Sequence, residues 1–127
     1  MATGMSAYLA NSLLNALGNN TAFAVTAPYV QLHIGDPAAA GTANPATETT
    51  RKAVSFAGAA AGAIASDADV SWTNISGSQD ATFFTAWDSL TAGNFLFSGS
   101  ITGNPYTAGD TYTITAGSFT TSLTLAS

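Results

Sequence analysis

The 127-residue sequence contains no cysteine, one histidine and only two basic residues. The absence of cysteine excludes disulfide bonds, thiol catalysis and zinc sites built from cysteine. Arg51 and Lys52 are the two basic residues, and seven acidic residues bring the formal net charge to −5. Because nucleic-acid affinity comes from clustered lysine and arginine side chains that release counterions, we expect no nucleic-acid partner.

Long hydrophobic runs are also missing. No window approaches the roughly 18 apolar residues of a membrane span, so we expect no membrane partner. The N-terminus lacks the basic start and continuous apolar run of a signal peptide, so we expect no export through such a signal. Charged residues make up 7% of the chain, against about 25% in ordinary soluble domains. A surface with so few charged residues is typical of a protein that buries much of its surface in an assembly.

Small residues dominate what is present. Alanine, threonine, serine and glycine together account for more than half of the chain. Small side chains bury little area each, so the core must depend on a few aromatic residues and on backbone hydrogen bonds. The length allows one domain with one core, and we expect a single domain over residues 1–127.

One helix is predicted near the N-terminus, over about residues 6–17. Ser6 is placed to cap it, and a glycine follows its last periodic position. Leu9, Leu13 and Leu17 fall on one face of this helix. We expect this leucine stripe to lie on the rest of its own domain or on a neighbouring subunit.

From Tyr29 onward the hydrophobic period changes from that of a helix to that of a strand. Val30, Leu32 and Ile34 are predicted to point one way, and Tyr29, Gln31 and His33 the other. Further alternating segments follow at roughly 10-residue spacing, with glycine-containing turns between the later ones. The pattern predicts an all-β fold: an antiparallel β-sandwich or jelly roll of seven to eight strands over about residues 28–126, with one N-terminal α-helix.

His33 is the one residue that could serve as a catalytic histidine. A serine hydrolase also needs a nucleophile and an orienting carboxylate, and the sequence has no G-x-S-x-G motif. The strand prediction puts His33 on the polar side, opposite the apolar residues. We therefore interpret His33 as an exposed or interface residue and expect no enzymatic activity.

The acidic residues give weak signals for chemistry. Asp67 and Asp69 are spaced so that both carboxylates would share one side of a strand, as calcium ligands sometimes do, yet the rest of a calcium loop is missing. The sequence leaves open whether these two residues bind a cation. Asp88 and Asp110 are the remaining candidates for a glycosidase pair, and both stand at turns, where aspartate ordinarily accepts backbone hydrogen bonds. We expect no cofactor.

Two sets of residues are candidates for contact with a partner. The first set is the leucine stripe of the helix. The second set is the polar side of the Tyr29 strand, formed by Tyr29, Gln31 and His33, together with Phe84 of a later strand. Because Phe84 directly follows Phe83, both faces of that later strand carry an aromatic ring. A carbohydrate-binding module would need exposed aromatic residues, for which Tyr29, Phe84 and Tyr106 are the candidates. A host surface glycan is therefore a candidate partner without a supporting motif.

Several segments, in this order, resemble the small tail-fibre-like virion proteins of tailed bacteriophages. They run from Leu9 to Thr124 and read "LANSLLNAL", "YVQLHIGDP", "GTANPATETTRKAVSF", "FFTAWDSLTAGNFLFSGSI" and "YTAGDTYTITAGSFTTSLT". The sequence departs from its relatives before "AVSF", where Thr49-Thr50-Arg51-Lys52 stands in place of Tyr-Ala-Arg-Gln. The family offers no catalytic residues to carry over.

The resemblance implies a structural role, in agreement with the low charge. We expect a repeated surface subunit of the virion that is associated with the tail as a fibre or tip protein and assembled in the host bacterial cytoplasm. Its expected partners are copies of itself, in a trimer or another small oligomer, and other virion proteins. The alternatives are a head decoration protein that caps capsomers and a carbohydrate-binding module.

Overall fold

The computed structural model describes residues 3–127. It contains one helix and eight strands, and every strand pairing is antiparallel, as the sequence predicts. The elements in chain order are α1 (Ala7–Gly18), β1 (Tyr29–His33), β2 (Lys52–Ala53), β3 (Ala63–Ala65), β4 (Val70–Trp72), β5 (Phe83–Trp87), β6 (Phe95–Ser100), β7 (Tyr112–Ile114) and β8 (Thr120–Ser122).

The helix begins and ends close to the predicted positions. The Ser6 hydroxyl accepts a hydrogen bond from the amide of Leu9 at 3.0 Å, which satisfies one of the free N–H groups of the first turn. At the other end, the amide of Asn19 donates to the carbonyl of Asn15 at 2.9 Å. Helix α1 packs against β6, and Leu9 is its one buried residue.

Four strands form the largest sheet, in the order β2-β1-β5-β6. The central pair is β1 and β5, which are in register along their whole length from Tyr29 opposite Trp87 to His33 opposite Phe83. Strand β5 therefore has a neighbour on each side, and its last four residues are all buried. A register shift between Ala86 and Trp87 marks the end of its pairing with β6.

Two short ladders, β3 with β8 and β4 with β7, complete the strands. They pack against the four-stranded sheet in the manner of a sandwich: the rings of Phe84 and Phe119 meet edge to face with centroids 4.8 Å apart. A cluster of buried residues joins the helix, the sheet, the β4–β7 ladder and Phe119, the residue before β8. Its largest fully buried side chains are those of Trp72, Phe84, Phe119, Leu32 and Ile75.

The free edge of β6 is covered by the residues that precede the helix. The amide of Ser98 donates to the carbonyl of Gly4 at 2.9 Å, and the amide of Ser6 donates to the carbonyl of Leu96 at 2.8 Å. Met5 forms an antiparallel bridge with Phe97. The segment of residues 4–6 thus runs beside β6 as an added strand and removes most of an edge that would otherwise be open to pairing.

Two features of the strands differ from the sequence-based expectation. Strand β3 lies in the alanine-rich run from Ala57 to Ala65, where side-chain alternation gives no signal. The predicted inward direction of Ile34 is wrong, because the strand ends at His33 and the side chain of Ile34 is 43% exposed. Within the described residues 3–127, no helix has both the length and the hydrophobicity to cross a membrane.

Candidate functional site

The polar side of β1 is only partly available at the surface. Tyr29 and Gln31 are half-buried, whereas His33 is completely buried. The predicted place of His33 on an exposed or interface face is therefore wrong. The cause is the loop after β1, which turns back and bridges His33 through Pro45, while Ala46 donates its amide to the carbonyl of Leu32 at 3.1 Å. His33 is closed off from any neighbouring subunit.

His33 is held by a chain of hydrogen bonds whose directions can be assigned. Its Nδ1 lies 2.8 Å from the carbonyl oxygen of Ala43, which can only accept, so Nδ1 carries the proton. The indole N–H of Trp87 donates to the hydroxyl oxygen of Thr85 at 2.7 Å. The Thr85 hydroxyl in turn donates its own proton to Nε2 of His33 at 3.0 Å. This network is fully satisfied only when the imidazole is neutral.

Burial lowers the pKa of His33 below its usual 6.5, although the bond to the carbonyl of Ala43 acts in the opposite direction. A charged imidazole would place a second proton on Nε2, opposite a hydroxyl that already accepts from Trp87. The hydroxyl proton would then lose its acceptor. Both effects favour the neutral form, which holds the loop and two strands together and takes no part in an accessible site.

Stability should decrease as the pH falls below 6.5, the pKa of an unperturbed histidine. Between that value and the lower pKa of the folded state, the unfolded chain binds more protons, so acid favours unfolding. Since His33 is the sole histidine, its NMR signals report its pKa directly. Urea unfolding between pH 8 and pH 5 measures the slope, and His33→Gln serves as the non-titrating control. An equal slope in His33→Gln would assign the effect to other groups.

A second buried polar centre surrounds Glu48, a residue that no motif in the sequence marks as a candidate. Its carboxylate accepts from the amides of Ser76 at 2.9 Å and Thr50 at 3.3 Å. Burial by itself would raise the pKa of Glu48, but these hydrogen bonds and the charge of Lys52 outweigh it and lower the pKa. Nearby, the indole N–H of Trp72 donates to the carbonyl of Thr50 at 2.8 Å, which fixes the same loop to the core.

Arg51 fastens the turn between β5 and β6 to the sheet. Its Nη1 donates to the carbonyls of Ser89 at 2.8 Å and Ala92 at 2.7 Å, and its Nε donates to Gln31 at 3.3 Å. The guanidinium carbon lies 4.1 Å from the ring centroid of Trp87, in a cation–π contact. One of the two basic residues of the chain is thus committed to internal contacts.

The aromatic candidates for glycan binding are mostly in the interior. Phe84 is 1% exposed and Tyr106 is 6% exposed, so neither offers a ring face for a sugar to stack on, and the prediction of Phe84 as an interface residue is wrong. The Tyr106 hydroxyl is a buried group without a hydrogen-bond partner in residues 3–127, and burial raises its pKa. Of the three candidates, only Tyr29 remains partly accessible.

The acidic candidates are used in turns and loops. Asp67 accepts from the hydroxyl of Ser55, while Asp69 accepts from the amide of Ala116 at 2.9 Å, so the two carboxylates serve separate partners ahead of β4. Asp88 and Asp110 accept backbone amides within their own turns, as predicted. Across the described chain, no three His, Cys, Asp or Glu side chains come together as a group that could hold a metal ion.

The leucine stripe of α1 ranges from buried to almost free. Leu9 is 8% exposed and Leu13 is half-buried, whereas Leu17 is 83% exposed. Leu9 and Leu13 form one wall of a groove of about 370 Å³ that runs between α1 and the β3–β8 ladder. We call this the apolar groove. Its lining contains no charged side chain and consists of Met5, Leu9, Leu13, Val25, Pro28, Phe56, Ala59, Gly62, Ala63, Ile64, Leu96, Phe97, Thr121, Ser122 and Leu123.

Comparison with known proteins supplies the context for these surfaces. A search of curated proteins finds no match to the sequence. Residues 4–122, which include α1 and all eight strands, match the family described as podophage GP4 fiber I protein gp80. The match covers nearly the whole chain and agrees with the resemblance to tail-fibre-like phage proteins. The chain therefore belongs to the podophage GP4 fiber I protein gp80 family.

Proposed function

We propose that this chain is a virion subunit associated with the phage tail, of the fibre or tip type, and that it acts through protein–protein contacts. The observation that carries the proposal is the family match over residues 4–122. Exposed leucines in a chain with few charged residues support the same role, because such side chains are usually covered in an assembly. The proposed partners are further copies of the chain, in a trimer or another small oligomer, and other virion proteins.

A structural role without catalysis is part of this proposal. The one histidine is buried and satisfied by Ala43 and Thr85, and the carboxylates of Asp88 and Asp110 are occupied by turn amides. Each of these side chains thus has a structural use within the subunit, which supports a role without catalysis. The subunit would be made and assembled in the cytoplasm of the host bacterium and then carried in the virion.

Locating the chain in purified phage particles tests the proposal. We expect gold-labelled antibodies against the chain, or a cryo-electron microscopy reconstruction into which residues 4–122 are fitted, to place it on the tail. A position on the capsomers would instead identify a head decoration protein and contradict the tail assignment. Absence from the particle would reject the virion role altogether. A glycan array with the purified chain, compared with Tyr29→Ala, tests the carbohydrate alternative.

A further inference from the structure

The hydrophobic surface of α1 extends beyond the part that its own subunit covers. Ala10, Leu14 and Leu17 follow one another at spacings of four and three residues, so they share one face of the helix. Leu14 is 62% exposed and Leu17 is 83% exposed. We call these three residues the outer stripe. It lies beside Leu13, so the apolar surface of the helix continues from the groove into solvent.

The groove beside the helix has the complementary character. Its walls are aliphatic and aromatic, and Leu123, at its β8 side, is 55% exposed. The next leucine along, Leu125, is 57% exposed and lies over Gly62, where an added Cβ would come within 2.7 Å of its Cδ2 atom. A groove of this kind accepts an amphipathic helix through anchors spaced by three or four residues. The chain itself carries such anchors in the outer stripe.

A second copy of the chain fits as the occupant, because each copy carries the exposed anchors Leu14 and Leu17 and the charge distribution does not prevent the contact. Each copy has a net charge of −5, which would oppose association if acidic residues met at the contact. All seven acidic residues lie outside the groove lining and outside the outer stripe. Two copies can therefore join here without bringing like charges together, whereas a basic partner would find no carboxylate in the groove.

We propose that the subunits associate by inserting Leu14 and Leu17 of one copy into the apolar groove of another. Each subunit then offers both the stripe and the groove, which allows either a twofold dimer or a closed ring. This inference rests on the proposed function, because it specifies how a repeated structural subunit holds its neighbours. Its failure is distinguishable, since the position of the chain in the particle does not depend on this contact.

The test measures the mass of the intact purified chain by light scattering and sedimentation over a range of concentrations. We expect an oligomer for the natural sequence. Leu14→Lys and Leu17→Lys should each raise the dissociation constant by roughly tenfold or more, because each removes an aliphatic anchor and places a charge in an apolar groove. Leu90→Lys is the matched control, since Leu90 is 55% exposed in the turn between β5 and β6, away from the groove.

A charge-complementation experiment guards against misfolding as an explanation. Leu123→Glu changes the groove wall, so this variant should be defective alone and should associate again when mixed with Leu17→Lys. A monomeric natural chain, unchanged association of the Leu14 and Leu17 variants, or equal loss in Leu90→Lys would each overturn the proposal.

Discussion

Replacing Phe84 with alanine should lower the free energy of unfolding by about 3–5 kcal/mol, the usual cost of deleting a large aromatic side chain from a packed core. Phe84 is 1% exposed and lies at the meeting point of the sheet and the β3–β8 ladder. Its ring packs edge to face on Phe97 at 5.8 Å and on Phe119 at 4.8 Å, centroid to centroid. Gly99 stands opposite Phe84 in β6 and leaves the space that the ring fills.

The neighbouring residue Phe83 provides a matched control in the same strand. It is half-buried and points to the other side, so Phe83→Ala should cost clearly less. Urea unfolding followed by tryptophan fluorescence measures both variants. Similar losses for the two substitutions would contradict the assignment of Phe84 to the core. A Phe84→Ala variant of natural stability would mean that the sheet and the ladder are held together elsewhere.

Replacing Thr85 with valine should lower the free energy of unfolding by about 2–6 kcal/mol, although the two side chains have nearly the same shape. The substitution leaves two buried groups without partners, the indole N–H of Trp87 and the Nε2 atom of His33. Each unpaired buried group costs about 1–3 kcal/mol. Thr85 is itself completely buried, so water cannot replace its hydroxyl without opening the structure.

Thr113→Val is the control for the Thr85 experiment. Thr113 lies in β7 with an exposed hydroxyl that shares a hydrogen bond with Ser71 at 2.8 Å, and the loss of this bond leaves groups that water can satisfy. We expect a change within about 0.5 kcal/mol. The NMR spectrum of the His33 ring should move in Thr85→Val and stay the same in Thr113→Val. Unchanged His33 signals in Thr85→Val would contradict the hydrogen-bond chain.

Local patterns predicted the helix and the first strand well, because both depend on nearby residues. A capping serine and a leucine repeat define α1, and observed bounds of Ala7–Gly18 differ from the predicted 6–17 by one residue at each end. In β1, the alternation of Val30 and Leu32 with Tyr29 and Gln31 is confirmed. These signals are physical consequences of the helical and extended repeats, so they can be read without knowledge of the tertiary structure.

The interior position of His33 could not be predicted from alternation. Alternation assumes one buried and one exposed face, and this assumption fails where a distant part of the chain covers the second face. At His33 the cover is the loop containing Ala43 and Pro45, and the polar partner is Thr85, which is 52 residues away. Alternation fails at Phe84 for the same reason. Its strand, β5, has a neighbouring strand on each side and is covered on both faces, so no face of it is exposed for Phe84 to lie on.

The role of Arg51 could not be predicted from the sequence either. Its main acceptors are backbone carbonyls, which every residue has, and they lie 38 and 41 residues away. The one signal in the sequence is the small number of basic residues. In a chain that has only two, each is a candidate for a specific contact. Strand β3 escaped prediction for a related reason, since alanine side chains give little hydrophobic contrast and its pairing with β8 joins segments far apart in the chain.

The pairing of residues 4–6 with β6 has a consequence for the order of events during folding. The amide of Gly4 donates to the hydroxyl of Ser98, 94 residues further along the chain. The segment around Gly4 therefore cannot pair until the segment around Ser98 has been synthesised. Ladders that join distant segments fold slowly, because the entropy of loop closure is lost before contacts are gained. We therefore expect residues 4–6 to stay unpaired until residues 96–98 have been synthesised, so that this edge of the sheet is among the last parts to form.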